Sequence, residues 1–310
     1  MPLIETLAGA SAKGYGWGAT PAAGGLTLTQ RTLPVTYNLI GYQKGGSSDL
    51  WLIGSAGSTS IATSSDGITW TTATASQALL SAISAKPAGQ YVTADGSTVR
   101  YSAAGTTWSS ATPYWTGSMT FLRYWGGAVL SHFKKLTSSA AESSSAGSTW
   151  TNRSGTNYTG YDQVNNGSLF GFPAYATSYF MYTDNASWAS FTQGTLPSTK
   201  NWLGGAYDST NGKFVVFDDS GTGAYSSNGT SWTQITLPTL SGYTYASSSD
   251  GGNGCYVIGG TSGYLYSTDA TTFKKITMPS GDYYAQYDSA NTRFLIMKSA
   301  STTYYTGVKP

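Results

Sequence analysis

The sequence predicts an all-β chain folded as a seven-bladed β-propeller of four-stranded antiparallel blades. Three observations lead there. First, a turn motif recurs six times: SSDGITW (64–70), SAAGTTW (102–108), SSAGSTW (144–150), TDNASW (183–188), SSNGTSW (226–232) and STDATTF (267–273). Second, its closing aromatics, Trp70, Trp108, Trp150, Trp188, Trp232 and Phe273, follow one another at about 40 residues, the period of a four-stranded blade. Third, the two chain ends complete each other. LTQRTLP (28–34) repeats WTQITLP (232–238), while TTYYTG (302–307) repeats GYLYST (263–268) and stops before its own motif finishes. The N-terminal strand is expected to supply the missing outer strand of the last blade, which closes the ring and removes free sheet edges.

Each repeat parses alike. In 70–108, WTTAT, QALLSAISA, QYVTA and TVRYS are separated by short clusters of Pro, Gly, Asp and Ser. Strand-length apolar or alternating runs between turn residues read as antiparallel strands. No capped helix-period segment interrupts them. The propeller is expected over 26–310, with 1–25 as an N-terminal docking or linker peptide.

The motif itself is a tight turn. Ser and Thr hydroxyls and the Asp66, Asn228 and Asp269 side chains can bond the neighbouring backbone, and Gly supplies positive φ. The aromatic that follows folds back and buries a ring of about 150–250 Å². Because the demand is geometric, the letters vary: Ala104 and Ala146 stand where Asp66 stands, and Ala270 where Gly67 stands. The motif resembles the Asp-box (BNR) repeat of sialidases and related propellers, S-x-D-x-G-x-T-W, with one residue fewer between Asp and Trp. That resemblance implies fold and leaves activity open, since many non-enzymes share the repeat.

Composition narrows the function classes. Charged residues make up 10% of the chain, against the usual quarter, and the formal net charge is +2. Solubility here comes from hydroxyls and amides. No basic run argues for nucleic acid or an anionic membrane. No apolar stretch approaches the ~20 residues of a membrane-spanning helix. The N-terminus lacks the pattern of a secretory signal. One cysteine, Cys255, and one histidine, His132, exclude a disulfide framework and a multi-His or thiolate metal cage. No cofactor is expected.

The Asp-box resemblance raises an enzyme reading, a glycan-cleaving propeller. A sialidase-like site would carry an arginine triad, a Tyr/Glu nucleophile pair and an Asp acid. Of the five arginines, only Arg123 falls on an expected inner strand, and the two glutamates are Glu5 and Glu142. The triad does not assemble. Asp162, Asp208, Asp250 and Asp288 recur once per repeat and read as turn acceptors.

A binding reading fits better. The connections from outer strand to next inner strand are expected to form one face: LPVTY (33–37), TASQA (73–77), ATPYWTGS (111–118), RSGTNYTG (153–160), GTLPSTKNW (194–202), TLPTLSGY (236–243) and TMPSGDY (277–283). Their candidate ligand contacts are Tyr37, Tyr114, Trp115, Tyr158, Lys200, Trp202, Tyr243 and Tyr283. Rigid rings among Ser, Thr, Asn and Gly make a contact surface at low entropy cost. Trp115 and Trp202, in the longest Pro-containing loops, are the residues expected to be most exposed.

Residues 1–25 resemble the short N-terminal stretch of tailed-phage virion proteins that carry a repeat domain. The resemblance implies a non-enzymatic structural or adhesion protein of a phage particle. It would be made in the host cytoplasm without a signal peptide and held as an oligomer within an assembly. Residues 1–25 would dock on other virion proteins, and the propeller face would contact a host-surface glycan or a neighbouring virion protein. Cellular scaffold propellers, such as Asp-box photosystem assembly factors, are a further class.

Overall fold

A computed structural model describes residues 25–42, 51–86, 90–125, 131–136, 141–153, 158–184, 190–239 and 249–310. The expected docking peptide, apart from Gly25, and the candidates Trp188 and Tyr243 lie outside the described residues.

All regular structure among the described residues is strand. β1 (Thr27–Tyr37) comes first. Three four-stranded antiparallel sheets follow. The first holds β2 (Leu39–Tyr42), β3 (Trp51–Gly54), β4 (Ser60–Ser64) and β5 (Thr71–Thr74). The second holds β6 (Ala82–Lys86), β7 (Gln90–Ala94), β8 (Val99–Ser102) and β9 (Ser109–Ala111). The third holds β10 (Met119–Trp125), β11 (Ser131–Leu136), β12 (Ala141–Ser144) and β13 (Thr151–Asn152). A seven-stranded sheet takes β14 (Val164–Asn165), β15 (Phe170–Pro173), β16 (Tyr175–Thr183), β17 (Thr192–Asp208), β18 (Lys213–Asp218), β19 (Thr222–Ser226) and β20 (Thr233–Thr236). A six-stranded sheet takes β21 (Ser249–Gly252), β22 (Cys255–Ser267), β23 (Lys274–Asp288), β24 (Arg293–Lys298) and β25 (Ser301–Val308), and ends on β1.

The expected set of seven equal four-stranded blades is therefore corrected. The described strands collect into sheets of six, four, seven, four and four. The cause lies in β17 and β23. Residues 194–202 and 277–283, expected as loops, are extended instead. β17 pairs with β16 at its start and with β18 over Trp202–Asp208. β23 likewise pairs with β22 and then, over Tyr283–Asp288, with β24. Hydrogen bonding thus carries through from one repeat to the next.

Burial follows strand position. β3, β18 and β24 carry apolar runs (WLIG, KFVVFD, RFLIMK) with buried interiors, as strands covered on both faces require. β5 and β20 are Thr-rich and mostly exposed. Successive sheets pack face to face through separate cores. Leu52, Leu79 and Tyr91 join the first sheet to the second; Val92 and Leu122 join the second to the third. Phe121 and Phe133 meet Phe170 and Phe172 of the seven-stranded sheet. Leu203 and Val215 meet Tyr256 and Ile258 of the six-stranded sheet. The six-stranded sheet returns to the first through Leu33, Leu295, Met297 and Tyr304 against Trp51 and Ile53. The succession of sheets closes on itself.

The closure joins the first and last described strands. β1 pairs antiparallel with β25, from Thr27 opposite Val308 to Thr32 opposite Thr303. Arg31 Nε donates to Thr306 Oγ1 at 2.9 Å across this pair.

The repeated turns share one geometry. Asp66 Oδ1 accepts the N–H groups of Ile68 and Thr69 at 2.8 and 2.7 Å and the Ser64 hydroxyl at 2.9 Å. Asn228 Oδ1 accepts from Thr230, Ser231 and Ser226, and Asp269 Oδ1 from Thr271, Thr272 and Ser267, in the same way. Partial burial raises the Asp66 and Asp269 carboxyls, but the N–H and hydroxyl donors outweigh it and hold each at about 2. Trp108, Trp150 and Trp232 each turn the indole N–H back to the carbonyl of the turn glycine, Gly105, Gly147 and Gly229. Trp70 instead donates to the Tyr304 hydroxyl. Phe273, with no N–H to place, is simply buried.

Candidate functional site

Among the described residues, the large apolar side chains that stay exposed are Tyr114, Trp115 and Val308. Two of the three are sequence neighbours on the connection from β9 to β10. Tyr114 is 61% exposed and Trp115 40%. Their rings stand edge to face, with centroids 5.2 Å apart and planes at 69°. Water-facing aromatics contribute little to the fold, and the corner made by an adjacent pair set at an angle offers exposed ring area to a flat or apolar ligand group.

The backbone beneath this corner is held by charges. Glu142 Oε1, from β12, accepts the Trp115 N–H, and Lys134 Nζ, from β11, donates to the Trp115 carbonyl at 3.3 Å. The two side chains pair at 3.6 Å and are fully buried. Burial pushes the Lys134 ammonium below its usual value, against the pull of Glu142 and of Asp95 in the β7–β8 turn. Burying an ion pair costs several kcal/mol per charge in desolvation. Here it satisfies both polar backbone atoms of one residue, the residue that projects an indole into solvent.

The adjoining turn completes the clamp. Gly117 N–H donates to the Gly96 carbonyl at 3.1 Å. A Cβ on Gly96 would lie 1.5 Å from the Gly117 oxygen, so only glycine allows this approach. Asp95 caps its own turn by accepting from Ser97 and Thr98, both at 2.7 Å.

The other candidates are placed differently. Trp202 is fully buried in β17 and donates its indole N–H to the Thr177 carbonyl at 3.1 Å. It is a core residue, so its expected exposure is corrected; with β17 extended through 202, the ring packs among Phe180, Leu196, Phe214 and Val216 of the seven-stranded sheet. Tyr37 and Tyr283 are buried too, and the Tyr283 hydroxyl donates to the Pro279 carbonyl at 2.7 Å. Tyr158 is half-buried against Tyr179, with ring centroids 5.1 Å apart. Lys200 lies 3.7 Å from buried Asp218. The structure does not gather these residues around Trp115. Sequence reasoning named Glu142 and His132 only as unsuited to catalysis; that Glu142 reaches back 27 residues to Trp115 carries no local sequence signal.

The ionisable groups of the repeats are occupied in structure. Asp208 accepts from Asn211 N–H and, across to the next repeat, from Gly254 N–H at 3.0 Å. Asp250 likewise accepts from Tyr287 N–H at 2.9 Å, and Asp162 pairs with Arg123 at 2.9 Å. His132 is buried between Ser84 Oγ, 2.9 Å from Nδ1, and Gln90 Oε1, 3.3 Å from Nε2. Burial, reinforced by Lys86, holds its imidazole down at about 3. Among the described residues, no three His, Cys, Asp or Glu side chains group as metal ligands.

No family model and no curated protein matches the chain. Solved structures do. YCF48 bound to a D1 peptide superposes with a TM-score of 0.64 at 13% identity, covering 91% of this chain and 96% of that one. Virginiamycin B lyase from Staphylococcus aureus gives a TM-score of 0.74 at 8% identity, covering 92% of this chain and all of its own. A streptogramin B lyase gives 0.68 at 8% identity, covering 91% of this chain and 98% of that one. At these identities the likeness is one of fold: the chain is a β-propeller.

Proposed function

We propose that the chain is a non-catalytic recognition propeller that engages its partner through the Tyr114–Trp115 corner. One observation carries this reading: the two rings are exposed while the Trp115 backbone is clamped by a buried ion pair. A pre-organised aromatic contact loses little entropy on binding, which is what a binding surface needs. Hydroxyl- and amide-rich surroundings suit a glycan or an uncharged peptide segment as partner. YCF48 in complex with a D1 peptide is a precedent for a peptide on this fold. The setting in a virion, with residues 1–25 docking on a neighbouring protein, belongs to the same proposal and is supported by the composition and by the resemblance of that segment.

The test uses the full chain on a glycan panel and a displayed peptide library, beside Trp115→Ala and Tyr114→Ala. Binding that falls at least tenfold in Trp115→Ala, with Tm unchanged, is the expected result. Lyases share the fold, so the same glycans and a streptogramin are followed for conversion. Turnover by the pure protein overturns the non-catalytic reading.

A further inference from the structure

We propose a second ligand site, remote in sequence from Trp115, for a small hydroxylated molecule bearing one oxyanion group. It is the cavity between the 267–273 turn and residues Lys309 and Pro310. Its volume is about 440 Å³, within the range of small-molecule sites. Tyr266, Thr268, Asp269, Thr272, Lys274 and Lys309 line it.

The walls are braced from three separate parts of the chain. Asn211 Nδ2 donates to the Thr268 carbonyl at 3.2 Å, and Lys213 Nζ to the Asp269 carbonyl at 3.2 Å. Lys309 Nζ lies 3.3 Å from the carbonyls of both Asn253 and Gly254. An ammonium has three donors, so these two carbonyls leave one for a ligand. Gly254 makes that seat possible. Its φ is +73°, and a Cβ there would lie 2.7 Å from Lys309 Nζ.

Donors dominate the lining. Lys274 and Lys309 contribute ammoniums and Thr268 and Thr272 hydroxyls, while the Lys213 ammonium sits behind the wall. One opposing side-chain charge, Asp269, lines the cavity too, against the two ammoniums. Asp269 Oδ1 accepts from Thr271, Thr272 and Ser267, and Asp208, under Gly254, accepts from Asn211 and Gly254. Such a lining calls for an acceptor-rich group: a sulfate, phosphate or carboxylate, bonded through charge-assisted hydrogen bonds. The Tyr266 and Pro310 rings add apolar wall for the body of the molecule.

The test is calorimetric titration of the full chain with glucuronate, glucose 6-sulfate, glucose 6-phosphate and glucose, at constant ionic strength set with chloride. Saturable binding of at least one anionic sugar, and none of glucose, is expected. The sugar that binds identifies the oxyanion. The double substitution Lys274→Gln and Lys309→Gln, both at exposed positions, is expected to weaken binding at least tenfold. Trp115→Ala leaves it unchanged, which separates this site from the aromatic corner. Absence of saturable binding, binding of glucose equal to that of the anions, or an undiminished affinity in the double variant overturns the proposal.

Discussion

Asp66, Asn228 and Asp269 show how one side chain stabilises a turn at three places with different letters. Each oxygen takes two consecutive N–H groups that would otherwise face solvent unpaired. A net hydrogen bond contributes about 0.5–1.5 kcal/mol, so Asp66→Ala or Asp269→Ala is expected to cost about 1–2 kcal/mol in urea unfolding. The Ala104 and Ala146 turns, which lack that acceptor, keep their path through Gly105 and Gly147 at φ +81° and +71°. Acid adds a second prediction. The two Asp carboxyls are held at about 2 in the fold, so their stabilisation is complete above the ordinary carboxylate range and is lost as pH falls towards 2. His132, held near 3 against 6.5 when free, binds a proton more readily once unfolded. Its contribution therefore also declines as pH drops from about 6.5 towards 3. A stability–pH profile with this acid limb, shallower in His132→Gln, is the expected outcome. These turns were legible in the sequence because every partner lies within three residues. Trp202 was not: whether a ring at the end of a Pro-containing stretch faces water or core depends on where the strand begins. Trp202→Ala, which empties a buried indole site, is expected to cost about 3–5 kcal/mol in the same unfolding assay.

At the scale of elements, the β9–β10 connection is exposed, and the strands beneath it spend buried charge to hold it. Glu142→Gln leaves Lys134 buried without its counter-charge and is expected to cost about 3–5 kcal/mol. Replacing both partners, Lys134→Met with Glu142→Leu, should recover much of that stability while freeing the Trp115 backbone. Faster amide exchange at Trp115 and lower indole fluorescence anisotropy in the double variant would show that the pair orients the ring; unchanged exchange would reduce it to packing. Sequence pattern placed Tyr114 and Trp115 on a connecting loop correctly. It carried no sign of the clamp, because Lys134 and Glu142 sit in short strands whose inward-facing residues are usually apolar. β17 and β23 illustrate the opposite failure. Pro, Gly and Ser at 194–202 and 277–283 read as loop chemistry, yet backbone pairing on both sides keeps those segments extended.

Over the whole molecule, repeat spacing revealed a propeller made of sheets, and the solved structures it resembles share that fold. How hydrogen bonds divide the strands into sheets was beyond the pattern, since spacing counts turns and says nothing of whether a connection stays extended. The ring depends on its closing seam. Removing residues 27–37 exposes β25 along its length and uncovers Leu295, Met297 and Tyr304, which Leu33 and Tyr37 help to bury. The shortened chain is expected to lose cooperative thermal unfolding and to aggregate, measured by calorimetry and light scattering.

The pairing of β1 with β25 also sets an order of events during synthesis. Arg31 leaves the ribosome 275 residues ahead of Thr306, its partner. At about 5–20 residues per second this is a wait of roughly 15 to 55 seconds. Throughout it β1 has no neighbour on its final side. TLTQRTLPVTY, with Thr, Gln and Pro at its exposed positions, is a segment able to stay in water that long without sticking to its like.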